Sequence, residues 1–336
     1  MLRTTTALGL LVALSSAPAL AEELNLYSAR HYDTDLRIYE NFTAATGIEI
    51  NLIEGAGEEL MERIRTEGAN SPADLFVTVD GGRLHQAVMA GIFQPIDSAV
   101  LEARVPANFQ HPDNLWFGLS ARARVIFTRT GERPDWLDTY EDLADPRLAG
   151  EICIRSSSSV YNISLMAEMI EALGPEAAEA WAAGVTANLA RPPQGGDRDQ
   201  LRALAADECS VAVSNTYYWG ALAQSDNPED RAVAEAVSFF YPNQDDRGAH
   251  VNISGAGVVV TAPNRDNAIR FLEYLVSDEA QAIFADSNNE FPIVPGVVIH
   301  GPVAPYTEFR NSGINVALYG INAAAATEIF DRVGFP

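Results

Sequence analysis

Hydrophobic spacing divides the chain into alternating short strands and helices. Leu24-Asn25-Leu26-Tyr27 alternates with the period of two of a half-buried strand. Asp33 to Thr46 follows with the helical period, placing Leu36, Tyr39 and Phe42 on one face, and Gly47 supplies its stop. Ile48, Ile50 and Leu52 return to alternation. Glu58 to Glu67 is predicted helical through Leu60, Met61 and Ile64. Asp74 to Val79 reads as a buried strand, and Arg83 to Ala90 as a helix closed by Gly91. Strands alternating with helices in this way predict a parallel sheet covered on both faces.

Trp116 to Thr128 is a long extended stretch, expected to cross between two lobes. A second rhythm then begins. Strands are expected at Glu151–Arg155 and Ser210–Ser214. Helices are expected over Asn162–Leu173, Glu176–Asn188, Asp199–Ala206 and from Tyr217 to Ala223. Val237–Tyr241 and Val251–Val260 are predicted as strands returning to the first lobe. Helices follow at Asn267–Leu275 and Asp278–Ala285, with caps at Asn264 or Asp266 and at Ser277. The Ala-rich tail from Asn315 to Phe330 is predicted helical. Two crossings describe a hinged clamshell that closes on a ligand. The expected fold class is therefore α/β: the two-lobed periplasmic-binding-protein fold of type II, with parallel or mixed sheets. Its lobes are expected to be 22–120 plus 240–292 and 121–239 plus 293–336.

The start of the chain bears on compartment. Arg3, the apolar run Ala7–Leu14 and the small-x-small site Ala19-Leu20-Ala21 form a secretory signal, 1–21, with the mature chain starting at Glu22. No Cys follows it to suggest a lipid anchor. No later segment is apolar enough to cross a membrane. The expected location is the periplasm.

Composition narrows the chemistry. With 47% hydrophobic residues the chain is globular, and its net charge of −24 opposes nucleic acid and anionic membrane as partners. All 22 basic residues are Arg, so Schiff-base, phosphate-loop and general-base lysines are excluded. Ser254-Gly255-Ala256-Gly257 lacks a following Lys and is read as a close-packed strand. No nucleophile elbow, paired-histidine zinc motif or 2-His-1-carboxylate set is present, so no enzyme activity is expected. His85, His111, His250 and His300 show no ligand spacing and are assigned surface or structural roles.

Four of the eleven tyrosines occupy equivalent places. Tyr32, Tyr161 and the tandem Tyr217-Tyr218 each follow a strand and open a helix. Turns after strand carboxyl ends share one edge of an open α/β sheet, where ligands bind. In a strand, neighbouring tyrosines would point to opposite faces; at a helix start both can face one space. Phenols ionise near pH ~10, so converging phenols need a strong cation to displace their protons. Phenolates with one imidazole, His31 beside Tyr32, suit ferric iron better than calcium, magnesium or soft metals. Ordinary half-buried aromatics with wet tips are the competing reading of each tyrosine. Ser156–Ser159 could hold an anion or form a capping turn, and Arg122 and Arg198 could offset phenolate charge.

Several stretches carry a resemblance. Tyr27-Ser28-Ala29-Arg30-His31-Tyr32-Asp33-Thr34-Asp35 resembles the opening of the periplasmic ferric-iron-binding proteins of bacterial iron ABC transporters. Similar to that family too are Arg155 to Asn162, Arg191 to Arg198, Asn215-Thr216-Tyr217-Tyr218 and Val251 to Gly257. The resemblance implies the hinged two-lobe fold and metal ligands at His31, Tyr32, Tyr161, Tyr217 and Tyr218. It implies Fe(III), free or chelated, as transported ligand, with or without a bound anion. The implied partner is an inner-membrane ABC permease and the implied state a monomer. The alternative is a clamshell for another metal, an oxyanion or a small organic acid.

Cys153 and Cys209 each lie eight residues before a site tyrosine, Tyr161 and Tyr217. In neighbouring parallel strands both thiols would sit at one depth. A Cys153–Cys209 disulfide is expected, as suits an oxidising compartment.

Overall fold

The computed structural model describes residues 22–30 and 32–336. The signal segment expected at 1–21 lies outside the described residues.

In chain order the first half contains β1 (Glu23–Ser28), α1 (Leu36–Thr46), β2 (Glu49–Glu54), α2 (Gly57–Glu67), β3 (Leu75–Val79), α3 (Gly81–Met89), α4 (Ala99–Arg104) and β4 (Phe117–Arg129). Next come β5 (Ile152–Cys153), α5 (Val160–Leu173), α6 (Pro175–Ala187), α7 (Asp197–Ala205), β6 (Val211–Asn215), α8 (Thr216–Ala223), α9 (Pro228–Ala236) and β7 (Val237–Phe240). The chain ends with β8 (Val251–Val258), α10 (Arg265–Leu275), α11 (Asp278–Asn288), β9 (Phe291–Pro292), α12 (Ala317–Ile321) and α13 (Ala323–Val333).

The strands follow the order β2-β1-β3-β8-β4-β6-β5. β1 runs parallel to β2 and β3, and β5 parallel to β6, while β8 is antiparallel to β3 and to β4. β4 is the crossing strand that the long extended stretch predicts. Its residues Phe117–Ala123 pair with β8, and Arg124–Thr128 pair with β6. The partner changes between Ala123 and Arg124, so one strand serves both sheets. β8 returns to the first sheet as expected. β7 does not: Val237–Phe240 pairs with Ile126–Arg129, in the second half of β4.

Local sequence explains most boundaries. Gly47 takes a left-handed φ of 75° to end α1. Ser277 caps α11 by accepting from the Ala280 amide at 3.2 Å. The core face of α1 differs from expectation: Ile38 and Phe42 are buried, whereas Leu36 is exposed. The reason is helix geometry: at about 100° per residue Ile38 lies about 40° from Phe42 around α1 and Leu36 about 120° from it, so the face that buries Phe42 takes Ile38 and leaves Leu36 in solvent. Phe42 packs edge-on against Phe271 of α10 at 4.8 Å between ring centroids. The tail helix α12 packs against both α3 and α5, bridging elements of the two sheets.

The disulfide Cys153–Cys209 is formed, with the Cα atoms 6.0 Å apart. The strands are parallel neighbours, but Cys153 is in register with Ala212, so Cys209 joins from the approach to β6 and not from equal depth.

Candidate metal site between the lobes

Tyr32, Tyr161, Tyr217 and Tyr218 line one cleft of about 690 Å³. Each reaches it from a strand end. Tyr32 sits between β1 and the 3-10 turn, in extended backbone with φ −107° and ψ 111°. Tyr161 is in the first turn of α5, and Tyr217 and Tyr218 are in the first turn of α8. Helix placement turns the tandem pair toward the same space, their rings 4.1 Å apart. The hydroxyls of Tyr161 and Tyr217, 56 residues apart in sequence, lie 3.1 Å from each other. His31 lies outside the described residues.

Burial and charge hold the phenols of Tyr32, Tyr217 and Tyr218 in the neutral form until something displaces their protons. Burial pushes Tyr32 up to about 12; the negative charge of Glu290 adds to this, and Arg30 and Arg122 pull the other way. Burial raises Tyr217 well above the ordinary phenol range, and the neighbouring phenols raise it further. Tyr218 is raised by burial, then by Tyr161 and Asp197. A group of phenols this close repels a second negative charge. A multivalent cation reverses that balance by stabilising several phenolates together. Among the described residues, no cluster of three or more His, Cys, Asp or Glu could hold a metal.

Guanidinium groups ring the tyrosines. Arg30 lies over the Tyr32 ring at 4.9 Å, and Arg155, Arg198 and Arg122 lie 5.9 Å from the ring centres of Tyr161, Tyr218 and Tyr217. Arg198 is exposed and lines the cleft. Arg122 is buried and bonds Glu290 at 2.7 Å. Its Nε and Nη1 have no partner. Glu290 also binds Arg30 at 3.0 Å, and Arg30 binds Asp35 at 2.8 Å. Two buried cations and two buried anions thus balance beneath Tyr32. Arg30 falls within the opening motif, yet periodicity assigns it no role; Glu290 carries no sequence signal at all.

Two hydrogen-bonded contacts join elements of the first sheet to helices beside the second. The Asp80 carboxylate, at the end of β3, accepts from Ser164 of α5 at 2.6 Å and from Asn252 at 2.6 Å. Asn289 donates to Gln224 at 2.9 Å. A β-carbon on Gly220 would lie 2.6 Å from that of Asn289, so only glycine lets α8 approach this closely.

The remaining candidates separate cleanly. Ser156–Ser159 are not among the cleft-lining residues; they form the turn before α5, where Ser156 and Ser158 hydroxyls meet at 2.8 Å. His250 is buried against Glu168 at 2.5 Å, and His111 packs edge-on against Trp116. His85 is half-buried in α3, and His300 is exposed. Ser254–Gly257 lie in β8, as a close-packed strand.

Comparison with known proteins identifies the family of the chain. Residues 70–306 match the family described as bacterial extracellular solute-binding protein. The chain is 48% identical to Iron uptake protein A1 of Synechocystis sp. over 323 residues, 96% of this chain and 90% of that protein. It is 28% identical to the Major ferric iron-binding protein of Neisseria meningitidis serogroup B, covering 97% of each. A Trichodesmium protein solved in complex with iron and citrate superposes with a TM-score of 0.91 at 53% identity, covering 94% of this chain and all of that one (100%).

Proposed function

The chain belongs to the bacterial extracellular solute-binding proteins, and on that footing we propose that it captures ferric iron in the tyrosine cleft for an ABC importer. Tyr32, Tyr161, Tyr217 and Tyr218 supply phenolate oxygens, and His31 a neutral nitrogen. The observation that carries this reading is the 3.1 Å approach of the Tyr161 and Tyr217 hydroxyls in a cleft that Tyr32 and Tyr218 also line. Hard, anionic oxygen donors match a hard trivalent ion. The α5 and α8 N-termini add positive potential where the phenolates form.

The cargo is iron alone or iron with a small anion. The cleft of about 690 Å³ is far larger than one ion, and the Trichodesmium protein of similar fold was solved in complex with iron and citrate. Exposed Arg198 is suited to meet such an anion. The chain works as a monomeric carrier in the periplasm, not as an enzyme, and hands its load to an inner-membrane permease. The partner switch along β4 supports lobes close to 22–120 plus 240–292 and 121–239 plus 293–336.

Titration with ferric citrate tests the assignment. Bound iron is expected to produce a broad visible absorption from phenolate-to-iron charge transfer. Tyr217→Phe and Tyr218→Phe are expected to weaken or abolish it. Iron bound without colour, or a spectrum unmoved by both substitutions, would exclude these ligands.

A further inference from the structure

We propose that Arg124 is the positioning residue that sets the spacing of the tyrosine-bearing helix starts. The inference rests on the ferric reading of the cleft and concerns how the phenols come to converge.

Arg124 stands on β4 at the point where that strand changes partner, and its side chain is 1% exposed. Its Nη2 donates to Asn162 Oδ1 at 2.6 Å. Its Nη1 donates to Asp197 Oδ1 at 2.9 Å and to Asn215 Oδ1 at 3.1 Å. Those acceptors sit at three helix starts. Asn162 follows Tyr161 in α5. Asn215 immediately precedes α8, two residues before Tyr217. Asp197 opens α7 beside Arg198, whose guanidinium lies 5.9 Å from the Tyr218 ring centre. One planar cation therefore links three elements that reach the cleft.

The first turns of α5 and α8 have no side-chain cap of their own. Cross-links from Arg124 replace that local fixing. The network continues outward. Asn162 Nδ2 donates to the carbonyls of Arg155 and Ser156, at 2.6 and 3.1 Å, and so holds the turn that leads to Tyr161. Arg155 joins Asp197 at 3.1 Å. Arg124 donates to no tyrosine hydroxyl; it acts through the helices. The fixed fork of a guanidinium can serve divergent acceptors at once, whereas a lysine ammonium at the same place is a single point on a flexible stem.

Arg124→Lys separates the fork from the charge. Expected for this variant is an apo protein that folds, with circular dichroism like the parent. Its iron dissociation rate to a competing chelator should rise at least tenfold, and its visible band should shift or lose intensity as a phenolate drops out. Asn215→Ala cuts one arm of the fork, and Asn162→Ala cuts another together with its bonds to the Arg155 and Ser156 carbonyls; neither buries an unpaired charge, and both should move band and rate in the same direction. They keep the test decisive should Arg124→Lys not fold. Variants that lose thermal stability while keeping the parental band and release rate would overturn the proposal. The wild type and Tyr217→Phe run beside them report on the ferric reading itself. A wild type that takes up no iron refutes that reading and this inference with it, whereas coloured wild type with unchanged Arg124 and Asn variants refutes this inference alone.

Discussion

Binding of ferric iron should expel about four protons, one from each of Tyr32, Tyr161, Tyr217 and Tyr218. With Tyr32 at about 12, ionising it at pH 7 without metal costs about 7 kcal/mol, at about 1.4 kcal/mol per pH unit. Tyr217 and Tyr218 are raised as well, so the metal must supply a comparable term for each. The sign is fixed. Protons compete with iron for the same oxygens, so affinity rises with pH and falls on acidification. Each released proton contributes about tenfold per pH unit in the binding constant. Calorimetry in buffers of different ionisation enthalpy reads the number directly, with the iron chelate's own proton balance measured in parallel. Substituting Phe for Tyr32 or Tyr218 should lower the count by about one. A release of fewer than about two protons, or a count unchanged in Tyr217→Phe, would refute the phenolate argument.

Further outcomes are expected. Replacing Glu290 by Gln leaves Arg30 and Arg122 without their shared carboxylate and should cost about 3–5 kcal/mol in denaturant unfolding. Burial alone would raise Glu290, but Arg30 and Arg122 hold it below the usual carboxylate range. The stability it contributes is therefore present above the ordinary carboxylate pKa of about 4.3 and is lost as pH falls below that value, an acid sensitivity Glu290→Gln should lack. Ser164→Ala removes the buried 2.6 Å bond by which α5 is tied to Asp80 at the end of β3; about 1 kcal/mol predicts roughly fivefold faster iron release by stopped flow. Non-reduced mass spectrometry should find no free thiol at Cys153 or Cys209. The Cys153→Ala, Cys209→Ala double variant should lose about 2–5 kcal/mol, and stability equal to the parent would remove the disulfide from the energetics.

The element rhythm is legible in the sequence because most helices carry a local stop or cap, such as Gly47 and Ser277. What depends on pairing is not. Nothing within Val237–Phe240 says which half of β4 it will join, and β5 shrinks to Ile152–Cys153 because only those residues find a ladder partner. α9 is not among the helices the hydrophobic spacing predicts, although Asn227 caps it by accepting from Glu229 at 3.0 Å and Pro228 opens it. The tyrosines were legible because each follows a strand and opens a helix. Arg124 was not. Its acceptors lie 38, 73 and 91 residues away, beyond any periodicity.

The sharing of β4 between two sheets has a consequence for dissection. Cutting the gene at a single point between β3 and β8 cannot leave the first sheet whole, since β1 and β3 lie upstream of β4 and their partner strand β8 lies far downstream. A fragment that ends before β4 would leave the inner edge of β3 bare, because β8 comes from far downstream, and exposed backbone of that kind recruits other chains. Half-molecules expressed alone should therefore precipitate, while co-expressed complementary fragments broken in an exposed loop stand a better chance of reassembling.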